Sequence, residues 1–216
     1  MGKIEKIVKQ TDNRFLNMYE LQYRDRTGRE KKYYTASRAE KEEELKIRTR
    51  KDTADGVAIY ALCGEKKDHV VLIRQFRYPL DDYVYELPAG LVDEGETFRE
   101  AAVREMHEET GLTLTPVQAD PIFEKPRYTT IGLTDEACAT VYGYAEGNIS
   151  KEFCEPSEEI EVVLADRQEV RRILREERVA LICAYHLMHF LYDKKPFAFL
   201  EATGSGPDGP SHFLTE

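Results

Sequence analysis

The segment from Gly90 to Leu112, GLVDEGETFREAAVREMHEETGL, constrains this chain more than any other stretch of it. Gly90 is followed after five residues by Glu96, and after seven more by Arg104-Glu105-Met106-His107-Glu108-Glu109-Thr110-Gly111-Leu112. The plain alternative is a surface helix that happens to be rich in Glu. Against it, seven fixed Gly, Glu and Arg positions at this spacing arise by chance on the order of once in 10^7 starting points at ordinary residue frequencies.

The spacing predicts a helix over Phe98 to Thr110, ended by Gly111. Glu105, Glu108 and Glu109 then stand at i, i+3 and i+4 and project from one face within a few ångströms of each other. Three like charges so placed raise their own pKa values or recruit hard cations, and oxygen-only ligands favour Mg2+, with Mn2+ as an alternative, over zinc. Phe98, Ala101, Ala102, Val103 and Met106 supply the side that packs under a sheet, so one helix serves both core and chemistry. Gly90 and Gly95 let the backbone turn tightly ahead of it, and Arg104 is suited to hold a neighbouring carboxylate by a charged fork. Gly90, Glu96, Arg104 and Gly111 are read as the scaffold of the segment.

Around this helix the periodicity is mostly that of strands. Lys3 to Lys9, Phe15 to Tyr23 and Lys31 to Ala36 alternate between turn signals at Thr11-Asp12-Asn13 and Thr27-Gly28, as a small antiparallel sheet would. Ser37 to Lys51 is dense in charge and reads as a short solvated helix or a linker. Gly56 to Leu62, His69 to Phe76 and Tyr83 to Leu87 are strands, as are Thr113 to Phe123, Glu136 to Tyr144 and Ile160 to Ala165; helices follow at Arg167 to Glu176 and Val179 to Tyr192. The expected organisation is a sheet domain over 1–50, an α/β domain over 51–200 and a flexible Gly- and Pro-rich tail over 201–216.

Composition excludes several classes. A formal net charge of -10 disfavours general affinity for nucleic acid, which is held mainly by surplus Lys and Arg. The apolar run Val179 to Tyr192 is shorter than the roughly 18 to 20 residues of a membrane span, and the N-terminus has no signal-peptide core. Cys63, Cys138, Cys154 and Cys183 form no Cys-x-x-Cys pair, which points to a reducing cytoplasm rather than a disulfide framework.

With every defined position filled, the Gly90–Leu112 segment is identified as a Nudix box, and about residues 30 to 195 resemble one branch of that family, the ADP-ribose pyrophosphatases. Arg74-Gln75-Phe76-Arg77-Tyr78-Pro79 and the entry Glu86-Leu87-Pro88-Ala89-Gly90 carry the likeness, with Pro126, 15 residues after Gly111, and Gly132-Leu133-Thr134-Asp135-Glu136 downstream. The expected fold is α/β (α+β): an α/β/α sandwich with a mixed sheet, preceded by the small N-terminal antiparallel sheet. The resemblance implies metal binding by the backbone carbonyl of Ala89 and by Glu105 and Glu109, with Glu108 assisting or binding water. It implies phosphate or ribose contacts from Arg77 and Glu86, and a catalytic base at Glu158 in the acidic loop before Ile160. In that branch the N-terminal sheets often exchange in a homodimer, and Tyr33 matches the aromatic that stacks on the partner's adenine. The position more usually holds Trp, which this chain lacks altogether.

The reaction so implied is Mg2+-dependent hydrolysis of ADP-ribose to AMP and ribose 5-phosphate. A nucleotide sugar, NADH or a dinucleoside polyphosphate is the alternative substrate, and a nucleotide-sensing regulatory Nudix domain the non-enzymatic rival. A competing constellation, Cys183, His186 and His189, lies on the last helix with successive members rotated by about 60°, and would be a zinc site if those residues were not simply core.

Overall fold

Three antiparallel strands account for the alternation in the first fifty residues: β1 (Lys3–Lys9), β2 (Asn17–Arg24) and β3 (Glu30–Ser37), in the order β1-β2-β3. The computed structural model describes residues 3–154 and 159–201. It falls into two compact units, Met1–Gly56 with Pro126–Ala139, and Val57–Lys125 with Thr140–Glu216.

In the first unit Ile7, Tyr19, Leu21 and Leu45 form a small core. The β2–β3 turn is fixed by Asp25, whose carboxylate accepts from the N–H groups of Thr27 and Arg29, while Gly28 takes a left-handed φ of 79°. The charged segment after β3 is a short 3-10 turn, Glu42–Glu44, and one helical turn, Lys46–Thr49. Phe15, Tyr33 and Tyr34 remain exposed. Residues 126–139 belong to this unit: Ala36 donates its N–H to Leu133 at 2.8 Å, and the Tyr33 hydroxyl donates to the Gly132 carbonyl at 2.5 Å.

The second unit is organised by β4 (Gly56–Cys63), all of whose residues are buried. Val57, Ile59, Ala61 and Cys63 join a cluster with Ala101, Ala102 and Met106 of the helix Phe98–Thr110. Ala58, Tyr60 and Leu62 face the other way, into a cluster with Val170 and Ile173 of the helix Arg167–Glu176 and Leu187 and Phe190 of the helix Leu181–Tyr192. A strand covered on both faces needs apolar side chains at every position, which is why it reads as a continuous hydrophobic run.

The remaining strands of the chain are β5 (His69–Arg77), β6 (Asp82–Glu86), β7 (Ala89–Leu91), β8 (Thr113–Pro116), β9 (Arg127–Tyr128), β10 (Ala137–Glu146) and β11 (Ile160–Ala165), of which β9 and the first residues of β10 fall in the first unit. They form a mixed sheet in the order β11-β5-β4-β10-β8, with β6 paired to β5, β7 to β4 and β9 to the first residues of β10. The architecture is therefore the α/β sandwich with a small N-terminal antiparallel sheet that the sequence predicts.

Several strand ends shift by one or two residues, and three elements depart further from expectation. The long strand expected over Thr113 to Phe123 stops at Pro116, and a helical turn, Pro121–Glu124, follows with Asp120 as its cap. Two prolines without an N–H to donate, and an Asp whose carboxylate accepts from the Ile122 N–H, explain the change. The last helix begins at Leu181 rather than Val179, because Arg178 and Ala180 hydrogen-bond on either side of Tyr85 as a short extension of the sheet. The triplet β7 was not foreseen; its apolar content is too short to show a period.

Candidate active site

The helix Phe98–Thr110 is started by Thr97, whose hydroxyl accepts from the Glu100 N–H while Glu100 accepts from the Thr97 N–H, and is ended by Gly111 at φ 75°. A β-carbon on Gly111 would lie 2.5 Å from the backbone nitrogen of Ser150, so both the angle and the space require glycine. At the other end of the segment, a β-carbon on Gly90 would overlap the carboxylate of Glu105. Gly90 is thus the gap in β7 that lets Glu105 reach the backbone.

Arg104 gathers the acidic groups. Its Nε and NH2 donate to the two oxygens of Glu96 at 3.0 and 2.9 Å, its NH1 donates to Glu105 at 2.8 Å and Glu108 at 2.9 Å, and NH2 also reaches the Leu91 carbonyl at 2.9 Å. All five donors of the guanidinium are placed. The hydrogen bond to Glu96 raises the pKa of Arg104 and, reciprocally, holds the Glu96 carboxyl below its ordinary value. Glu105 and Glu108, sharing one nitrogen, are held side by side on one face of the helix.

Glu109 is buried, 3% exposed, with its Oε2 accepting from the Ala89 N–H at 3.0 Å, beside Gly90 where the Glu105 carboxylate lies. Ala89 begins β7 and Glu86 ends β6, so the turn Leu87-Pro88 links the two places. There Arg77 clasps Glu86 with two parallel bonds, Nε to Oε1 at 2.9 Å and NH2 to Oε2 at 2.5 Å, across the β5–β6 ladder.

Among the described residues no three His, Cys, Asp or Glu side chains are gathered into a group able to hold an ion. The residues marked out for a metal are instead two carboxylates, Glu105 and Glu109, and the carbonyl of Ala89. Their chemistry fits a hard divalent cation, since each of these three donors is oxygen. The competing zinc set is otherwise engaged: Cys183 is buried, the partly buried His186 donates through Nδ1 to the Ile182 carbonyl, 2.8 Å away, and both imidazoles lie edge-on to Tyr60.

Two further expected residues are Tyr33 and Glu158. Tyr33 is in the first unit, half-exposed, with its hydroxyl on Gly132. Glu158 lies outside the described residues. Its neighbour Glu159 is described: its carbonyl accepts from the Phe76 N–H at 3.1 Å and its carboxylate accepts from the Tyr83 hydroxyl. Sequence reading missed Tyr83, over whose ring Arg74 sits at 4.1 Å. The β5–β6 register that pairs Phe76 with Tyr83 was the signal available for it.

The fold and the site together define an α/β sandwich with a carboxylate helix clamped by one arginine. A model of the NUDIX domain matches residues 52–185, more than half of the sequence, and the chain belongs to the Nudix family. It is similar to the ADP-ribose pyrophosphatase of Saccharomyces cerevisiae, 32% identical over 133 residues that make up 58% of this chain and 53% of that one. It is also similar to the ADP-sugar pyrophosphatase of Mus musculus, 28% identical over 142 residues, 64% of this chain and 61% of the mouse protein. The chain thus spans between about half and three-fifths of the length of these relatives. Among solved structures, an ADP compounds hydrolase shares the fold with a TM-score of 0.57 at 17% identity, covering 81% of this chain and 83% of its own.

Proposed function

We propose that this chain hydrolyses the phosphoanhydride bond of ADP-ribose, giving AMP and ribose 5-phosphate, with Mg2+ as the metal and Mn2+ as a substitute. The observation that carries the reading is the Arg104 clamp, which sets Glu105 and Glu108 together on a helix whose next residue, Glu109, is buried against Ala89. The names of the yeast and mouse relatives supply the substrate class.

In this reading Glu105, Glu109 and the Ala89 carbonyl hold the ion, which supplies charge neutralisation at the diphosphate and a lowered pKa for the attacking water. Glu158 takes the proton from that water, with Glu108 assisting. Arg77 meets the phosphates; Glu86, by clasping Arg77, sets the direction of the guanidinium and offers acceptors to a ribose hydroxyl. Glu96, Arg104, Gly90 and Gly111 shape the helix and its entry.

Residues 1–50 serve as the dimerisation region and 51–200 as the Nudix domain, and Tyr33 stacks on the adenine held by a second copy. The substrate is a small nucleoside diphosphate compound, with no role for nucleic acid or a lipid bilayer. No helix among the described residues is long and apolar enough to cross a membrane, and no disulfide joins the four cysteines, which suits a reducing cytoplasm.

The test is a product assay with Mg2+ across ADP-ribose, nucleotide sugars, NADH and dinucleoside polyphosphates. ADP-ribose is expected to give the highest kcat/KM. A clear preference for another member of the panel overturns the substrate assignment.

A further inference from the structure

The acidic loop that carries the proposed base runs between two anchored stretches of the second unit. Ahead of it, Ser150 donates its N–H to the Thr110 carbonyl at 3.0 Å, the Cys154 Sγ donates to the Glu109 carbonyl at 3.5 Å, and the Phe153 ring lies on the His107 imidazole with centroids 4.4 Å apart. These contacts tie the chain to the acidic helix. After the loop, Glu159 is tied to the sheet: its carbonyl accepts from the Phe76 N–H at 3.1 Å and its carboxylate accepts from the Tyr83 hydroxyl. Only Glu155, Pro156, Ser157 and Glu158 separate Cys154 from Glu159 in sequence. A chain spans at most about 3.3 to 3.6 Å per residue, so the places where so short a connection is tied limit where its carboxylates can go.

The Tyr83 anchor lies on the face of the sheet away from the acidic helix. Val71 belongs to the cluster of that helix, and alternation along β5 puts Gln75 and Arg77 on the same face, with Arg74 and Phe76 on the other. The ladders carry the alternation across: Tyr83 is paired with Phe76, Ile160 with Gln75, and Glu161 with Arg74. Tyr83 and Glu159 therefore meet on the far face. Their contact is bracketed by the Arg74 guanidinium, 4.1 Å from the centre of the Tyr83 ring, and by the Phe76 ring, edge-on at 5.5 Å. Ile160, the next residue, is buried on the near face with Gln75. A charge-assisted bond from a ring held in this way fixes the register in which the chain enters β11. A slip of one residue there would send every side chain of the strand to the opposite face.

We propose that Tyr83 is a positioning residue for the hydrolysis: by holding Glu159 on the far face, it sets the register from which the preceding residue, Glu158, serves the face that carries the acidic helix. The inference rests on the proposed hydrolase activity and on Glu158 as its base. Tyr83 acts only through Glu159, because the two meet on the side of the sheet opposite Arg77.

Steady-state kinetics with ADP-ribose and Mg2+, paired with amide hydrogen exchange, test the role. Tyr83→Phe keeps the ring and removes only the hydroxyl. Its kcat should fall about five- to tenfold, the size of one hydrogen bond, with KM within about twofold because Arg77 and Glu86 stay in place. Glu159→Ala should cause the same loss, and the double variant no more than either, since each change removes the same bond. Glu159→Gln keeps an acceptor for the hydroxyl and should lose less than about twofold, a rescue that general loss of folding would not produce. Exchange of the Phe76 amide, which donates to Glu159, should quicken in Tyr83→Phe and Glu159→Ala alike. Unchanged kcat in Tyr83→Phe, a loss confined to KM, additive losses in the double variant, or unchanged exchange at Phe76 would overturn the proposal. The two readings fail in different ways. A wild type that hydrolyses no member of the substrate panel takes both down, whereas an active wild type matched by Tyr83→Phe removes the positioning role alone.

Discussion

The backbone N–H of Ala89 donates to the Glu109 carboxylate across 3.0 Å, tying the first residue of β7 to a side chain on the last turn of the acidic helix. The same bond that orients Glu109 therefore holds in place the residue whose carbonyl is proposed as a metal ligand. Replacing Glu109 or Glu105 by Gln keeps the shape but removes a ligand charge. A loss of several kcal/mol of transition-state stabilisation, at least about 10^2 in turnover, is expected with an unchanged circular dichroism spectrum. Near-normal activity in both variants would sink the metal assignment.

Gly90→Ala should be damaging for a reason visible in one contact, since the added β-carbon overlaps the Glu105 carboxylate. The atoms it meets are the far end of a flexible side chain, so Glu105 swings aside at small cost in stability and the damage falls on its placement. Thermal unfolding and turnover together check this: Tm should change little while kcat falls about as far as in Glu105→Gln. A large loss of Tm would show that the glycine is needed for some other cause.

Arg104→Gln should flatten the acid limb of the stability curve. The Arg104 hydrogen bonds hold the folded pKa of Glu96 below its unfolded value of 4.5, so their stabilisation is present above pH 4.5 and is lost as pH falls through the folded pKa. The Tm gap between wild type and variant should be widest near neutrality and close as pH drops below 4.5. A gap that stays constant down to pH 3 would remove the clamp from the account.

The segment Gly90–Leu112 was legible because its chemistry and its packing obey one period: Ala101, Ala102 and Met106 bury against β4 while Glu105 and Glu108 face Arg104. Sequence spacing groups Glu109 with those two, but its contact with Ala89, between positions twenty residues apart, is one that no local period encodes. The Tyr83 contact with Glu159 was hidden for the same reason, as it depends on β5 bringing β6 and the start of β11 together. Thr113 to Phe123 misled because β-favouring residues continue past Pro116, whereas only Val117 still donates to the neighbouring strand, at Tyr142, before Asp120 caps the turn Pro121–Glu124.

Within the acidic loop, Glu158→Gln should lower kcat with little change in KM, as expected for a group whose interaction strengthens only in the transition state. Glu159 is a poor rival, because its carboxylate already accepts from the Tyr83 hydroxyl. Steady-state kinetics of both variants decides: a larger loss at Glu159 would mean that the base is one position further along.

The chain should be a homodimer in solution. The three strands of the N-terminal sheet bury only a small cluster around Tyr19 and Leu45, and Phe15, Tyr33 and Tyr34 stay exposed, more aromatic surface than an isolated sheet of this size usually leaves to water. The hydrogen bond from Tyr33 to Gly132 directs the ring without covering it, so the ring is available to stack. The rival is a monomer, and light scattering separates the two: a mass near 25.0 kDa at micromolar concentration rejects the dimer, and twice that supports it. Mixing inactive Glu105→Gln chains with inactive Tyr33→Ala chains then asks whether a site is shared. A mixed dimer can hold one site with intact Glu105 and intact Tyr33 only if those residues come from different copies in the working arrangement. Recovery of activity, after subunit exchange has been shown with tagged chains, is the expected result. An exchanged mixture that stays dead would leave Tyr33 without a part in the partner's site.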